Sequence, residues 1–222
     1  MSQVQNQSLP MRGAAYIVEN LIDMMALQRA YLSEIDGAIG DGDHGINMSK
    51  GFSQARTRMA GRAQTPDLAA ALDDLAMTLL EGIGGSMGPL YGGFFLAMSE
   101  ALSTQGELNA KNFGAALSSG VDAVQDVGSA QVGDKTLIDT LIPARDAYHA
   151  ALEAGQPFAA ALDEMVAAAK QGQESTRMLQ ARLGRASRLG ERSIGVLDAG
   201  ATSCYFILES LAQSVKQGLT AQ

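Results

Sequence analysis

The chain has 222 residues, of which 46% are hydrophobic and 18% charged, and its formal net charge is −8. This acidic balance argues against a nucleic-acid-binding protein and against a polybasic membrane anchor, since both need clustered positive charge. No stretch approaches the roughly 18 consecutive apolar residues of a membrane helix, and the polar segment from Met1 to Pro10 has no signal-peptide pattern, so one cytoplasmic domain over residues 1–222 is expected.

The chain begins with a helical pattern that ends at an acidic, glycine-rich stretch. Residues 10–35 place apolar side chains at a spacing of 3.6 residues, which predicts one amphipathic helix. The next thirteen residues, 36–48, contain four glycines and three aspartates. Each glycine would cost about 1 kcal/mol inside a helix, so this stretch is predicted to be a loop. Asp41 and Asp43 are two residues apart and point the same way in an extended segment, and Asp36 can fold back toward them.

Three carboxylates that converge on one point repel each other unless a cation lies between them. Ligation by oxygen alone favours a hard ion, Mg²⁺ or Ca²⁺. An EF-hand calcium loop needs Gly and Glu at two fixed positions, which Ile46 and Phe52 occupy when the loop is counted from Asp41, so an EF-hand is excluded. An acidic surface loop without a metal is the alternative that the residues leave open.

Helices separated by glycine-rich loops continue the pattern. A helix is predicted from Ile46 to Met59, and Thr65 is predicted to cap another helix that has Pro66 in its first turn. The segment Gly82–Gly93 has six glycines in twelve residues, and a new helix is predicted over 89–103. Exposed backbone amides at the start of a helix bind anions, above all phosphate.

The second half of the chain predicts four further helices. Asn109 is the predicted cap of the first, and a loop at 128–135 follows it. The remaining predicted helices cover residues 136–154, 157–171 and 202–217. No window alternates as a strand does, so eight helices and no strand predict an all-α protein.

Five arginines, at positions 177, 182, 185, 188 and 192, lie within sixteen residues of this otherwise acidic chain. A solvated helix face and a phosphate-binding segment both explain such a cluster. The acidic loop and the glycine-rich loops elsewhere in the chain favour phosphate binding.

Five stretches together resemble one family, the L subunit or nucleotide-binding domain of dihydroxyacetone kinases. They follow in family order: Ile39–Met48, Gly84–Gly92, Val132–Asp139, Gly184–Ser193 and Asp198–Ser203. The combination is specific although each stretch alone is not, and the chain length resembles the free-standing subunit. The resemblance implies an all-α, eight-helix antiparallel barrel or bundle with a nucleotide site at one end.

The resemblance also implies a set of site residues. Asp36, Asp41 and Asp43, called the three aspartates below, are implied to hold two Mg²⁺ ions that bridge the nucleotide phosphates. Contacts to ADP or ATP are implied for His44, Gly45, Ile46, Asn47, Gly85, Ser86, Gly128, Leu137, Arg185, Asp198, Ala199 and Gly200. No residue is an obvious nucleophile for sugar binding, and in the family a separate K subunit holds the ketose covalently.

The donor and the partners are likewise implied by the resemblance. Family members of the bacterial phosphotransferase type keep ADP bound and rephosphorylate it from a phosphohistidine protein that draws on phosphoenolpyruvate; a homodimer is also expected. ATP-exchanging subunits acting on erythrulose or another ketose share the same aspartates, and a regulatory subunit that binds a transcription regulator is a further alternative. Met87, Leu183, Val196 and Ala199 stand where Ser, Lys, His and Pro are usual.

Overall fold

The computed structural model describes residues 7–221, so residues 1–6 of the polar N-terminal segment and Gln222 at the end of the expected domain lie outside it. Within that range the chain forms nine α-helices and a short antiparallel pair of strands, β1 (Ser8–Pro10) and β2 (Glu107–Asn109). The helices are α1 (Tyr16–Leu27), α2 (Arg29–Ile39), α3 (His44–Ala60), α4 (Leu68–Gly82), α5 (Met87–Leu102), α6 (Ala110–Val127), α7 (Ile138–Glu153), α8 (Phe158–Ser175) and α9 (Ala199–Thr220). Two 3-10 segments, Thr176–Met178 and Arg185–Ser193, lie between α8 and α9, and the second is kinked at Gly190.

Eight of these helices form a closed ring, and α2 lies outside it. In the ring α1 packs on α3, each helix from α3 to α8 packs on the next, and α9 packs on both α8 and α1. Short loops join α3 to α4, α4 to α5, α5 to α6 and α7 to α8, and short loops make neighbouring helices run antiparallel. The all-α prediction and the eight-helix barrel are therefore confirmed, with α2 as an additional helix packed against α3 and α9.

Aromatic rings fill the interior of the ring in two groups. Phe52 and Phe95 meet edge to face with ring centroids 5.8 Å apart, which joins α3 to α5. Phe113 contacts Tyr148 at 5.3 Å and Phe158 at 5.7 Å, which joins α6, α7 and α8. These five side chains are buried, and aromatic pairs of this geometry add roughly 0.5–1.5 kcal/mol each beyond the burial of their area.

The predicted first helix is wrong at both ends and in its middle. It starts at Tyr16 and breaks after Leu27, and its second part, α2, continues to Ile39, so Asp36 lies on a helix and the loop shrinks to residues 40–43. Burial of three large side chains on one face of α2 outweighs the cost of its single interior glycine, Gly37.

Several other predicted boundaries differ from the structure. Asp67, rather than Thr65, caps α4 by accepting a hydrogen bond from the Ala70 amide at 2.9 Å. The prediction of no strand is wrong, because β1 and β2 form a short antiparallel pair. The helices predicted from 136 and 202 begin instead at Ile138 and Ala199.

The Asn109 cap and the first-turn position of Pro89 are confirmed, although α5 begins at Met87 and not at 89. Asn109 caps α6 in a capping box, in which its side chain accepts from the Asn112 amide while the Asn112 side chain accepts from the Asn109 amide. Pro89 lies in the first turn of α5. None of the helices within residues 7–221 combines the length and the apolar character needed to cross a bilayer.

Candidate functional site

A cleft of about 750 Å³ opens at one end of the helix ring. Because the ring helices alternate in direction, the N-terminal ends of α3, α5, α7 and α9 all lie at this end, and residues from each of those ends line the cleft. The first amides of a helix have no partner within the helix and carry partial positive charge, which favours bound anions. The cleft therefore has the electrostatic character of a phosphate site.

Most residues predicted for the site line this cleft. All of them do so except Gly45 and Ile46. Gly45 lies where α3 crosses α2, and a Cβ atom there would collide with the Arg29 carbonyl oxygen, so its glycine permits the close approach of two helices. The Ile46 side chain is half exposed outside the cleft. Nucleotide contact by these two residues stays a prediction.

The three aspartates converge at one corner of the cleft. Asp36 comes from the last turn of α2, Asp41 from the loop, and Asp43 from the position before α3. One carboxylate oxygen from each lies within 4.8 Å of the others. Two oxygens that share one Mg²⁺ are up to about 4 Å apart, so small side-chain rotations would bring all three onto one ion. The all-oxygen donor set and its spacing fit Mg²⁺.

Backbone geometry of the short loop makes this convergence possible. Gly42 has φ of +76°, a left-handed conformation that side-chain-bearing residues rarely adopt. A Cβ atom on residue 40 would collide with the Asp36 carboxylate, so only glycine at this position leaves space for that carboxylate. The His44 amide donates to Asp36 Oδ2 at 3.2 Å and so ties α3 to α2 at the aspartates.

Within residues 7–221, Arg185 is the only basic residue that forms an ion pair with one of the three aspartates. Its guanidinium pairs with the Asp41 carboxylate, and both side chains are partly exposed. Arg185 begins the 3-10 helix Arg185–Ser193, and Gly184 before it has φ of +69°. The predicted phosphate-binding arginine and a predicted metal ligand are therefore direct neighbours.

The start of α5 forms a second wall. Gly84 and Gly85 face open space, since a Cβ on either would meet nothing within 4 Å, and Gly85 has φ of +70°. Ser86 follows as the residue before α5. A ligand can thus approach the backbone of this turn directly.

Three buried polar side chains, His44, Ser203 and Tyr91, form a hydrogen-bonded series beside the three aspartates, and the sequence did not predict it. His44 Nε2 lies 3.0 Å from Ser203 Oγ, which lies 2.6 Å from the Tyr91 hydroxyl. Burial lowers the pKa of His44 to about 4, against the opposing charge of Asp36. His44 is therefore a neutral imidazole at neutral pH, held by Ser203. Tyr91 and Ser203 both lie inside the stretches that carry the resemblance, and that position was the one sequence signal that could have singled them out.

Asp198 anchors the wall formed by α9. Its carboxylate caps the helix by accepting from the Ala201 amide at 2.7 Å, and burial raises its pKa to about 6 although that hydrogen bond and Lys135 oppose the shift. Gly200 packs against α7, since a Cβ there would lie 3.5 Å from Leu137 Cβ. The starts of α7 and α9 thus meet at the bottom of the cleft.

The raised pKa of Asp198 predicts a pH dependence. An acid with a higher pKa in the folded than in the unfolded state makes folding less favourable as pH rises from 3.8, its ordinary value, to about 6. Asp198→Asn keeps a capping oxygen and removes the titration. We expect the unfolding free energy of the wild type minus that of Asp198→Asn to fall across this window, as measured by urea unfolding at each pH. A difference that stays constant with pH would contradict the assignment.

Comparisons with known proteins show which family the chain resembles. Residues 38–213 match the DAK2 domain. The chain is 37% identical to the Escherichia coli "PEP-dependent dihydroxyacetone kinase, ADP-binding subunit DhaL" over 88% of this chain and 92% of that protein. It is 39% identical to the Lactococcus lactis "PTS-dependent dihydroxyacetone kinase, ADP-binding subunit DhaL" over 84% of this chain and 88% of that protein.

A solved structure extends the likeness to the fold. The dihydroxyacetone kinase of C. freundii in complex with AMP-PNP and Mg²⁺ superposes with a TM-score of 0.68 at 26% identity. The match covers 96% of this chain and 36% of that longer chain. Because the DAK2 match covers most of the sequence and the curated relatives have nearly its length, the chain belongs to the DAK2 domain family.

Proposed function

We propose that this chain is the nucleotide-binding subunit of a dihydroxyacetone kinase, which holds ADP or ATP with Mg²⁺ and presents a phosphoryl group to a ketose on a separate subunit. One observation carries the proposal: three carboxylates that fit Mg²⁺ converge in a cleft into which four helix N-termini point. The names of the full-length relatives, ADP-binding subunits of dihydroxyacetone kinases, support the same role.

The chemistry of phosphoryl transfer suits these groups. Such transfer depends on alignment and charge neutralisation more than on covalent help from the protein. Mg²⁺, when bound by the three aspartates, supplies charge that offsets the phosphates. We place two ions there. The amides at the start of α5 and α9 bind phosphate oxygens, and Arg185 adds a guanidinium that can fork onto two of them.

The phosphoryl donor and partners follow from the same role. ADP stays bound and is rephosphorylated by a phosphohistidine protein that draws on phosphoenolpyruvate, in keeping with the PEP- and PTS-dependent names of the relatives. A K-type subunit then takes the phosphoryl group onto the ketose. Formation of a homodimer and binding of a transcription regulator stay predictions.

Native mass spectrometry of the purified protein tests the role directly. We expect a species that carries ADP together with Mg²⁺, and we expect a chelator to release both. A protein that takes up no nucleotide from a solution of Mg²⁺ and ADP would contradict the proposal.

Arg185→Lys should weaken ADP binding by roughly tenfold, about 1.4 kcal/mol, because an ammonium cannot replace the two-pronged guanidinium. Arg192→Lys is the matched control, since Arg192 lies in the same segment, beyond a kink at Gly190, and does not line the cleft. Calorimetry with Mg²⁺ present measures both affinities, and the melting temperature of the nucleotide-free protein should hardly change. Equal, small effects of the two changes on ADP affinity would mean that Arg185 is a solvent-exposed surface residue without a role in nucleotide binding.

A further inference from the structure

Lys135 is a buried lysine with an unusual backbone. Its exposed fraction is 1%, and its φ of +61° is the single positive value of a non-glycine residue within 7–221. Lysine is almost never fully buried without partners, and a left-handed conformation is unfavourable for it. Both costs imply that the rest of the fold holds this residue where it is.

The Lys135 ammonium is held by three backbone carbonyls. Nζ donates to the carbonyl oxygens of Thr176 at 2.6 Å, Leu179 at 3.2 Å and Val196 at 2.5 Å. An ammonium has three donors, so its capacity is fully used. Thr176 begins the 3-10 helix after α8 and Leu179 follows its end, whereas Val196 lies just before α9.

The turn that carries Lys135 is itself fixed to α7. The Asp139 carboxylate, in the first turn of that helix, accepts from the Gly133 amide at 2.6 Å and from the Thr136 amide at 2.7 Å. Asp139 is 1% exposed. Lys135 therefore extends from a turn that is hydrogen-bonded to α7 to the segment that leads into α9.

The segment before α9 is also hydrogen-bonded directly to the 3-10 helix after α8. Thr176 Oγ1 accepts from the Asp198 amide at 3.0 Å, and Gly195 donates from its amide to the Arg177 carbonyl at 2.7 Å. Asp198 then caps α9. The position of the α9 start relative to α7 thus depends on a clamp formed by Lys135 and its three carbonyl partners.

We propose that Lys135 is a positioning residue that fixes Ala199 and Gly200, at the start of α9, against Leu137, at the start of α7, where the two helix starts form the bottom of the nucleotide cleft. The proposal rests on the proposed function, which places the nucleotide in this cleft. Lys135 contributes no bond to the nucleotide in this role, because its three donors are already used. It acts by fixing the position of the cleft bottom against which the nucleotide binds.

The test compares Lys135→Met with Lys216→Met in the full chain. Methionine keeps the length of the side chain and removes its three donors. Lys216 lies on the exposed side of α9, where it pairs with Asp163 at 2.5 Å, so its variant is the matched control. Lys135→Arg is the second variant: it retains the charge, but a planar fork cannot reach three converging carbonyls.

Two measurements are made at a temperature where circular dichroism shows each variant folded. We expect Lys135→Met to lower the affinity for ADP in the presence of Mg²⁺ by about tenfold, because the variant loses the three hydrogen bonds that hold the start of α9 against α7. Lys135→Arg should fall between it and the wild type. Hydrogen exchange should rise in residues 176–182 and 194–198 and stay unchanged in residues 40–48, at the aspartate corner.

The outcomes separate positioning from general stability. ADP affinity of Lys135→Met equal to that of Lys216→Met, or faster exchange everywhere in the chain, would overturn the proposal. If Lys135→Met does not fold, an unchanged ADP affinity in Lys135→Arg overturns it equally. Failure of the wild type to bind ADP would instead overturn the proposed function, and the exchange pattern would then still decide whether the clamp fixes α9 to α7.

Discussion

Asp41→Asn is expected to lower Mg²⁺-dependent ADP affinity by about 100-fold or more while the protein remains folded. Residues that merely orient metal ligands cost roughly 10–100-fold when replaced, and a ligand itself should cost no less. The carboxamide keeps the shape of Asp41 but removes the negative charge that offsets the cation. Titration calorimetry with ADP, in Mg²⁺ and again in chelator, measures the loss as a difference between the two conditions.

The matched control for this change is Asp163→Asn. Asp163 is also an exposed aspartate with a basic partner, Lys216, but it lies on α8 and does not line the cleft. Its variant should bind ADP as the wild type does. Unchanged ADP affinity in Asp41→Asn would remove the metal assignment.

The folded state should tolerate Asp41→Asn for a physical reason. The change deletes the exposed ion pair with Arg185, and such pairs contribute about 0–1 kcal/mol. It also relieves repulsion among three carboxylates that lie within 4.8 Å of each other. These effects oppose each other, so the melting temperature of the metal-free protein should change little.

The aspartate corner could be predicted from the sequence because its information is local. Three aspartates lie within eight residues, and the glycines between them allow the tight turn that brings the carboxylates together. The helical extent of that stretch could not be predicted in the same way. Glycine costs about 1 kcal/mol in a helix, whereas burying Leu32, Ile35 and Ile39 on α2 each gives about 1.5–3 kcal/mol, a term that depends on distant packing.

The contacts that support the site could not be predicted from the sequence either, because they also join residues that are far apart in the chain. Ser203 meets His44 across 159 positions of sequence and Tyr91 across 112. The carbonyls that hold Lys135 lie 41 to 61 positions away from it. Neither periodicity nor spacing encodes such pairs, and backbone carbonyl partners leave no mark on residue type. Val196 illustrates this, since its contribution is a carbonyl that any residue would supply.

The short strands were missed because they are too short for a pattern. Each has three residues, and β1 ends in Pro10, a residue that argues against strand in sequence terms. Their pairing joins residues about a hundred positions apart. Features with a local chemical cause, the Asn109 cap and the first-turn position of Pro89, were by contrast predicted correctly.

Phosphorylation of dihydroxyacetone by this chain alone is expected to be undetectable, with either ATP or a phosphohistidine donor. To hold a ketone covalently, a cleft needs a free nucleophilic nitrogen or thiolate. Among the described residues that line the cleft, the side chains with such a nitrogen are His44 and Lys135. His44 is buried against Ser203, and the Lys135 ammonium is bound by three carbonyls.

Turnover should therefore appear only when a K-type subunit is added. The measurement follows dihydroxyacetone phosphate in a coupled assay, with this chain alone, with the K-type subunit alone and with both. The mixture made with Asp41→Asn is the control, and it should stay inactive because the phosphoryl donor is no longer held with its metal. Steady turnover by the isolated wild type, absent from an Asp41→Asn preparation purified identically, would mean that the chain carries its own ketose site. Because the side-chain nitrogens of His44 and Lys135 are already hydrogen-bonded, we expect the isolated chain to be inactive. The cleft supplies the phosphoryl donor, and a second protein must supply the ketose acceptor.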